Sequence, residues 1–185
     1  MRLGIFAIAL AICLVLDSSF LMALSIGGVH PMSTAVLMVF VGLFAPRRTV
    51  MWTALVAGIF LDLATVSTYR MDEPFFLIGP YAMGCVFGAN LILPIRTMVF
   101  RRNPIAVGLL TIPYLLAVDV AFMAVWTIRS FYAETSTPWG DASAASELGR
   151  RMGEAIYTGG FGIPFAWILL LTWSSWRFEV GSVRR

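Results

Sequence analysis

Apolar runs close to 20 residues long recur from one end of this chain to the other, and they leave it few folds to adopt. A hydrocarbon layer of about 30 Å is crossed by about 20 helical residues, each rising about 1.5 Å. In lipid, every backbone N–H and C=O must be bonded within the chain, and a helix does this within one segment. Charge content points the same way: 12% of the residues are charged, about half the fraction usual in a soluble domain. With 59% hydrophobic residues in 185, no stretch remains for a second, soluble domain. The sequence reads as one all-α integral membrane domain, 1–185.

The expected spans are about 3–24, 31–45, 49–67, 75–95, 104–127 and 156–175. The first is too long for a signal-peptide core and lacks an A-x-A cleavage site, so it reads as uncleaved. A lipoprotein box at Leu10-Ala11-Ile12-Cys13 is excluded by Ile12, where a small residue is required. The second run is short, opening at His30-Pro31 and closing at Ala45-Pro46-Arg47-Arg48. It either crosses a thinned region or is partly re-entrant against its neighbours.

Counting it as a crossing gives the better charge arithmetic. With the N-terminus inside, Arg2, Arg47, Arg48, Arg96, Arg101, Arg102, Arg177, Arg184 and Arg185 are cytoplasmic. Only Arg70, Arg129, Arg150 and Arg151 fall outside, offset by Asp72, Glu73, Glu134, Asp141, Glu147 and Glu154. The positive-inside rule therefore favours six crossings with both termini inside. Trp52, Trp173 and Trp176 are expected at the inner interface; Trp126, Tyr132 and Trp139 at the outer one. The net charge of +3 lies in short loops between apolar runs, which argues for membrane lipid and against nucleic acid as a partner. The one long outer loop, about 128–155, has a turn-like centre at Thr137-Pro138-Trp139-Gly140-Asp141 and a surface helix expected over 143–156.

Three carboxylates interrupt the apolar runs: Asp17, Asp62 and Asp119. They follow Arg2, Arg48 and Arg102 by 15, 14 and 17 residues, which places all three about 21–26 Å up their helices. Each costs about 2.5–3.5 kcal/mol at a bilayer centre, so each needs a partner or a proton. This polar layer has two readings. It lines an outward-facing cavity for a ligand or proton, or it fixes packing by bonding to helix ends and hydroxyls such as Ser18, Ser19, Thr65 and Tyr114. No basic residue falls within the expected spans at that depth. Close helix packing is expected at Gly84-x-x-x-Gly88 and Ala7-x-x-x-Ala11, with local kinks or openings at Gly79-Pro80, Pro113 and Gly162-Ile163-Pro164. Cys13 and Cys85 lie inside apolar runs and read as small hydrophobes. No nucleophile, zinc or phosphate-binding motif is present, and His30 sits beside Pro31 in a short connection. The chain therefore reads as non-catalytic, with neither cofactor nor metal.

The stretch Trp52-Thr53-Ala54-Leu55-Val56-Ala57-Gly58-Ile59-Phe60-Leu61-Asp62-Leu63 resembles the signature of the rod shape-determining protein MreD family, an apolar span ending in Gly-x-x-x-Asp-Leu. The short preceding span, from Pro31 to Arg47-Arg48, is similar too, as are the length and the six-span pattern. The resemblance implies a non-catalytic inner-membrane subunit of the bacterial cell-elongation machinery. Its implied partners are the bitopic MreC and, directly or indirectly, the rod-complex glycosyltransferase and class B penicillin-binding transpeptidase that build lateral peptidoglycan. Gly58 and Asp62 are the positions that carry over. The layout also resembles substrate-binding components of energy-coupling-factor transporters, in which the layer of Asp17, Asp62 and Asp119 would form a vitamin or metal-ion site.

Overall fold

The computed structural model describes residues 1–65, 67–68, 74–75, 77–98, 103–131, 137–140, 142–176 and 178. Among these the helices are α1 (Leu3–Ser18), α2 (Phe20–Ala23), α3 (Ser33–Phe44), α4 (Arg47–Ala64), α5 (Pro80–Ile95), α6 (Pro104–Arg129), α7 (Ala144–Leu171) and α8 (Trp173–Trp176). A minimal antiparallel pair, β1 (Ser67–Thr68) and β2 (Pro74–Phe75), sits between α4 and α5. Arg70, Asp72, Glu73, Arg101, Arg102, Tyr132, Glu134, Asp141, Arg177, Arg184 and Arg185 lie outside the described residues.

Within the described residues, three stretches are long and apolar enough to cross a membrane: Leu3–Ala23, Pro104–Arg129 and Ala144–Leu171. Their outward faces are apolar as well. Ile8, Ile12 and Val15 of α1, Leu109 of α6, and Trp167 and Leu171 of α7 are all exposed, a surface that water does not favour and lipid does. This is a membrane protein. The other long helices are α3 and α5, apolar but only 12 and 16 residues long, and α4, which carries Arg47, Arg48 and Asp62 in its 18 residues.

Neighbour contacts fix the helix directions. A Cβ added at Gly84 would meet the Val118 carbonyl oxygen at 2.8 Å, and one at Gly88 would meet the Tyr114 ring at 2.8 Å, so α5 and α6 run antiparallel. Gly108 meets the Gly159 carbonyl oxygen in the same sense between α6 and α7, and Gly58 meets Ala82 between α4 and α5. By contrast α3 runs with α5 and α7: Gly42 faces Ile92, and Val36 faces Gly162. Helices α1, α4 and α6 thus point one way and α3, α5 and α7 the other. Lipid supplies no hydrophobic drive between helices, so close backbone approach at small residues holds such a bundle together.

The short second apolar run forms the helix at the centre of the bundle. Every residue of α3 from Ser33 to Leu43 is buried, and α3 touches α1, α4, α5, α6 and α7. A helix of about 18 Å is tolerated there because protein, not lipid, covers it. At its far end Phe40 packs edge-on against Phe44, Trp173, Trp176 and Phe178.

Several expected details differ. Ala7 and Ala11 face outward; α1 instead buries Phe6, Leu10 and Cys13, because the larger side chains fill the gap to α3. The helix expected from 75 begins at Pro80, since Gly79 at φ 144° breaks the chain direction and proline suits the first helical position. The helices continue through Pro113 and Pro164. The surface helix expected over 143–156 is the opening of α7 itself, capped by Ser143, whose side chain accepts from the Ser146 amide at 3.2 Å. Trp176 and Trp126 are buried in the bundle, each 2% exposed, whereas Trp52 is 60% exposed. The turn at 137–140 is present, closed by Gly140 N–H to the Thr137 carbonyl at 2.9 Å.

Candidate functional site

Helix direction decides what the three acids meet. Asp17, Asp62 and Asp119 lie toward the C-terminal ends of α1, α4 and α6, at the end of the bundle where α3, α5 and α7 begin. The first turn of a helix carries N–H groups without intrahelical acceptors and the positive end of the helix dipole. An acid there finds donors without needing a cation.

Two acids use this arrangement. Asp17 Oδ1 accepts from the Ser33 amide at 2.6 Å and the Ser33 hydroxyl at 2.7 Å, and Oδ2 accepts from the Thr34 amide at 3.0 Å. Asp62 does the same for α5. Its Oδ2 accepts from Gly79 N–H at 2.8 Å and Ala82 N–H at 3.1 Å, and its Oδ1 from Tyr81 N–H at 2.8 Å. Asp62 is 2% exposed. One turn earlier on α4, a Cβ at Gly58 would lie 2.6 Å from the Tyr81 carbonyl oxygen and 2.7 Å from the Ala82 amide nitrogen. Gly58 therefore lets the first turn of α5 approach, and Asp62 bonds it.

Asp119 is held differently. Its Oδ1 accepts from Arg151 Nη1 at 2.7 Å, and both side chains are buried. The Arg151 guanidinium lies over the Phe122 ring, 4.4 Å from its centroid, and its Nε donates to Glu147 Oε1 at 2.7 Å. The chain of charges continues outward. Arg150 bonds Glu147 through Nη2 at 2.7 Å and Glu154 through Nη1 at 3.3 Å, and His30 Nε2 lies 3.8 Å from Glu154.

This ion pair corrects the expectation that no cation shares the acids' depth. The sequence places Arg151 in the outer loop, but from Ala144 onward the chain is already α7, which carries the guanidinium about two turns past the Ser143 cap. The signal was present as Glu147–Arg151 and Arg150–Glu154, both at i,i+4 helical spacing. The expected hydroxyl partners do not serve. Ser18 Oγ donates to the Val15 carbonyl and Thr65 Oγ1 to the Leu61 carbonyl, since in a helix the i−3 and i−4 carbonyls are nearer than any acid. Ser19 is exposed, and Tyr114 OH has no hydrogen-bond partner among the described residues.

The acids thus share one end of the bundle but not one pocket. Each ties its helix to the next long helix of opposite direction. The described residues hold no group of three or more His, Cys, Asp or Glu placed to bind a metal ion. What the arrangement does chemically is satisfy two buried carboxylates and one half-buried one with helix ends and one arginine, and so tie three helix pairs together. Gly84 and Gly88 add close contacts to α6, as their spacing predicts. Compared with known protein families, curated proteins and solved structures, the chain gives no match.

Proposed function

We propose that this chain is a multi-pass, non-catalytic subunit of the bacterial cell-elongation complex in the inner membrane. In this reading it binds an MreC-like bitopic protein and helps organise the glycosyltransferase and transpeptidase of lateral wall synthesis. The observation that carries the reading is that Gly58 and Asp62, the two positions through which the chain resembles MreD, act on one target. Both hold the first turn of α5, one by leaving space and one by accepting three amide hydrogen bonds. The alternating directions of α1, α3, α4, α5, α6 and α7 support six crossings with both termini inside. So does the position of Arg2, Arg47, Arg48 and Arg96, all at the bundle end opposite the acids. A scaffold needs a fixed exterior rather than a reactive pocket, and acids used for packing suit that role.

The transporter alternative rests on the common depth of the acids, and carboxylates already bonded to helix ends and arginine are poor ligands for a second molecule. Mass spectrometry of proteins co-purified with the full chain in mild detergent tests the proposal. A near-stoichiometric bitopic coiled-coil protein accompanied by wall synthases is the expected result. A pair of ATPases with a coupling membrane subunit would overturn it in favour of uptake.

A further inference from the structure

The end of the bundle opposite the acids carries an unbalanced positive corner where α3 turns into α4. Arg47 and Arg48 open α4 and are both exposed. Every ion pair among the described residues lies at the other end, on Arg150, Arg151 or His30. A third guanidinium is fixed at the corner: Arg96 Nη1 donates at 2.8 Å to the carbonyl of Ala45, two residues before Arg47. Cations gathered without a carboxylate favour an anion from outside the chain.

Beneath the corner the surface turns apolar. Arg48, Trp52, Val56 and Phe60 recur every four residues and form one ridge of α4. Trp52, Val56 and Phe60 are exposed. From Arg48 to Phe60 the ridge runs about 18 Å, close to the depth of one leaflet in a hydrocarbon core of about 30 Å. Asn90 of α5 borders its upper part and is exposed. Its Nδ2 donates to the Val86 carbonyl at 3.1 Å and reaches Met51 Sδ, next to Trp52 in α4, at 3.5 Å. A thioether is a weak acceptor, so one amide hydrogen is left for a better one. A carboxamide turned toward lipid is costly unless a polar group meets it.

We propose that this corner and the ridge beneath it bind one anionic glycerophospholipid. Its phosphodiester meets Arg47 and Arg48, with Arg96 adding charge, as basic surfaces beside membrane helices select anionic head groups. The Trp52 indole lies at the level of the glycerol esters, where amphipathic rings settle, and Asn90 donates to an ester carbonyl. One acyl chain follows the ridge to Phe60. A soluble phosphate shares the head-group chemistry but has nothing to lay on Trp52 and Phe60, so the occupant is a lipid. The inference rests on the chain being a membrane protein and is independent of the proposed function.

Thermal unfolding of the full chain in mild detergent tests it, with phosphatidylglycerol or phosphatidylcholine of the same acyl chains added. At a hundredfold excess over its dissociation constant, phosphatidylglycerol should raise the midpoint by about 5–10 °C, and phosphatidylcholine by clearly less. Arg47→Gln combined with Arg48→Gln should abolish most of that difference. Arg2→Gln should keep it, because α1 makes no contact with α4 or α5 beyond one or two residue pairs. Equal shifts from the two lipids overturn the proposal. So does an equal loss in Arg2→Gln, or an equal shift from soluble glycerophosphate. Native mass spectrometry of the wild-type chain from an equimolar mixture of the two lipids needs no variant: one retained phosphatidylglycerol is expected, and indifferent retention overturns the assignment.

Discussion

Replacing Asp62 by asparagine exchanges one carboxylate oxygen for an amide nitrogen and leaves shape and volume almost unchanged. The hydrogen bonds do not survive the exchange. Asp62 Oδ2 accepts from Gly79 and Ala82, and Oδ1 from Tyr81. Asparagine has one acceptor oxygen, which best serves the first pair, leaving its NH₂ facing the Tyr81 N–H, donor against donor. One buried donor left unpaired costs about 1–3 kcal/mol. Losing the negative charge at the start of α5 adds about 0.3–2 kcal/mol. A total near 3 kcal/mol, in a chain of 185 residues, lowers the unfolding midpoint by about 6–12 °C at about 2–4 °C per kcal/mol. Thermal unfolding in detergent, followed by tryptophan fluorescence, reads this directly. Asp17→Asn is the internal comparison and should shift the midpoint less, because Asp17 is only half-buried and the Ser33 hydroxyl can rotate to donate elsewhere. A shift below about 2 °C for Asp62→Asn would refute the reasoning, since it would mean that α5 does not depend on this carboxylate for its first turn.

Further perturbations separate the remaining contributions. Gly58→Ala drives a methyl into the backbone of Tyr81 and Ala82 and should cost about 1–3 kcal/mol, whereas Gly160→Ala, with nothing within 4 Å, should gain about 0.5–1 kcal/mol from helix propensity. Unfolding midpoints that move in the same direction would contradict this pair. Arg151→Met leaves Asp119 buried without its cation and should destabilise by about 3–5 kcal/mol; adding Asp119→Leu should restore most of the loss, as measured by a double-mutant cycle. Phe40→Ala removes the ring shared by Phe44, Trp173, Trp176 and Phe178 and should cost about 3–5 kcal/mol, with a matching loss of near-ultraviolet circular dichroism.

The three acid contacts repeat one solution with different donors. Asp17 and Asp62 lie near the ends of α1 and α4, where an antiparallel neighbour begins and presents unpaired amides, whereas Asp119 lies ten residues before the end of α6. α3 and α5 offer those amides directly. α7 begins farther out, so at the level of Asp119 its amides already bond within the helix, and Arg151 supplies the donor instead. The same difference in length explains why Asp119 alone is joined to a charge network reaching His30.

The sequence alone determined the class of solvent and which stretches are apolar helix, though not where α5 and α7 begin, because hydropathy over about 20 residues is a local, additive quantity. It singled out Asp17, Asp62 and Asp119 as costly and in need of partners, and Gly84 and Gly88 as packing positions. It did not reveal which partners they have. Whether an acid meets an amide, a hydroxyl or a guanidinium depends on which helix lies opposite and in which direction it runs, and residues 16 to 32 positions away in the chain leave no periodic trace. The same limit misplaced Ala7 and Ala11. Spacing shows that two residues share a helix face, but only tertiary packing decides whether that face meets protein or lipid. Nor does the shortness of α3 reveal its surroundings; only the packing shows that five helices enclose it and replace the lipid around it.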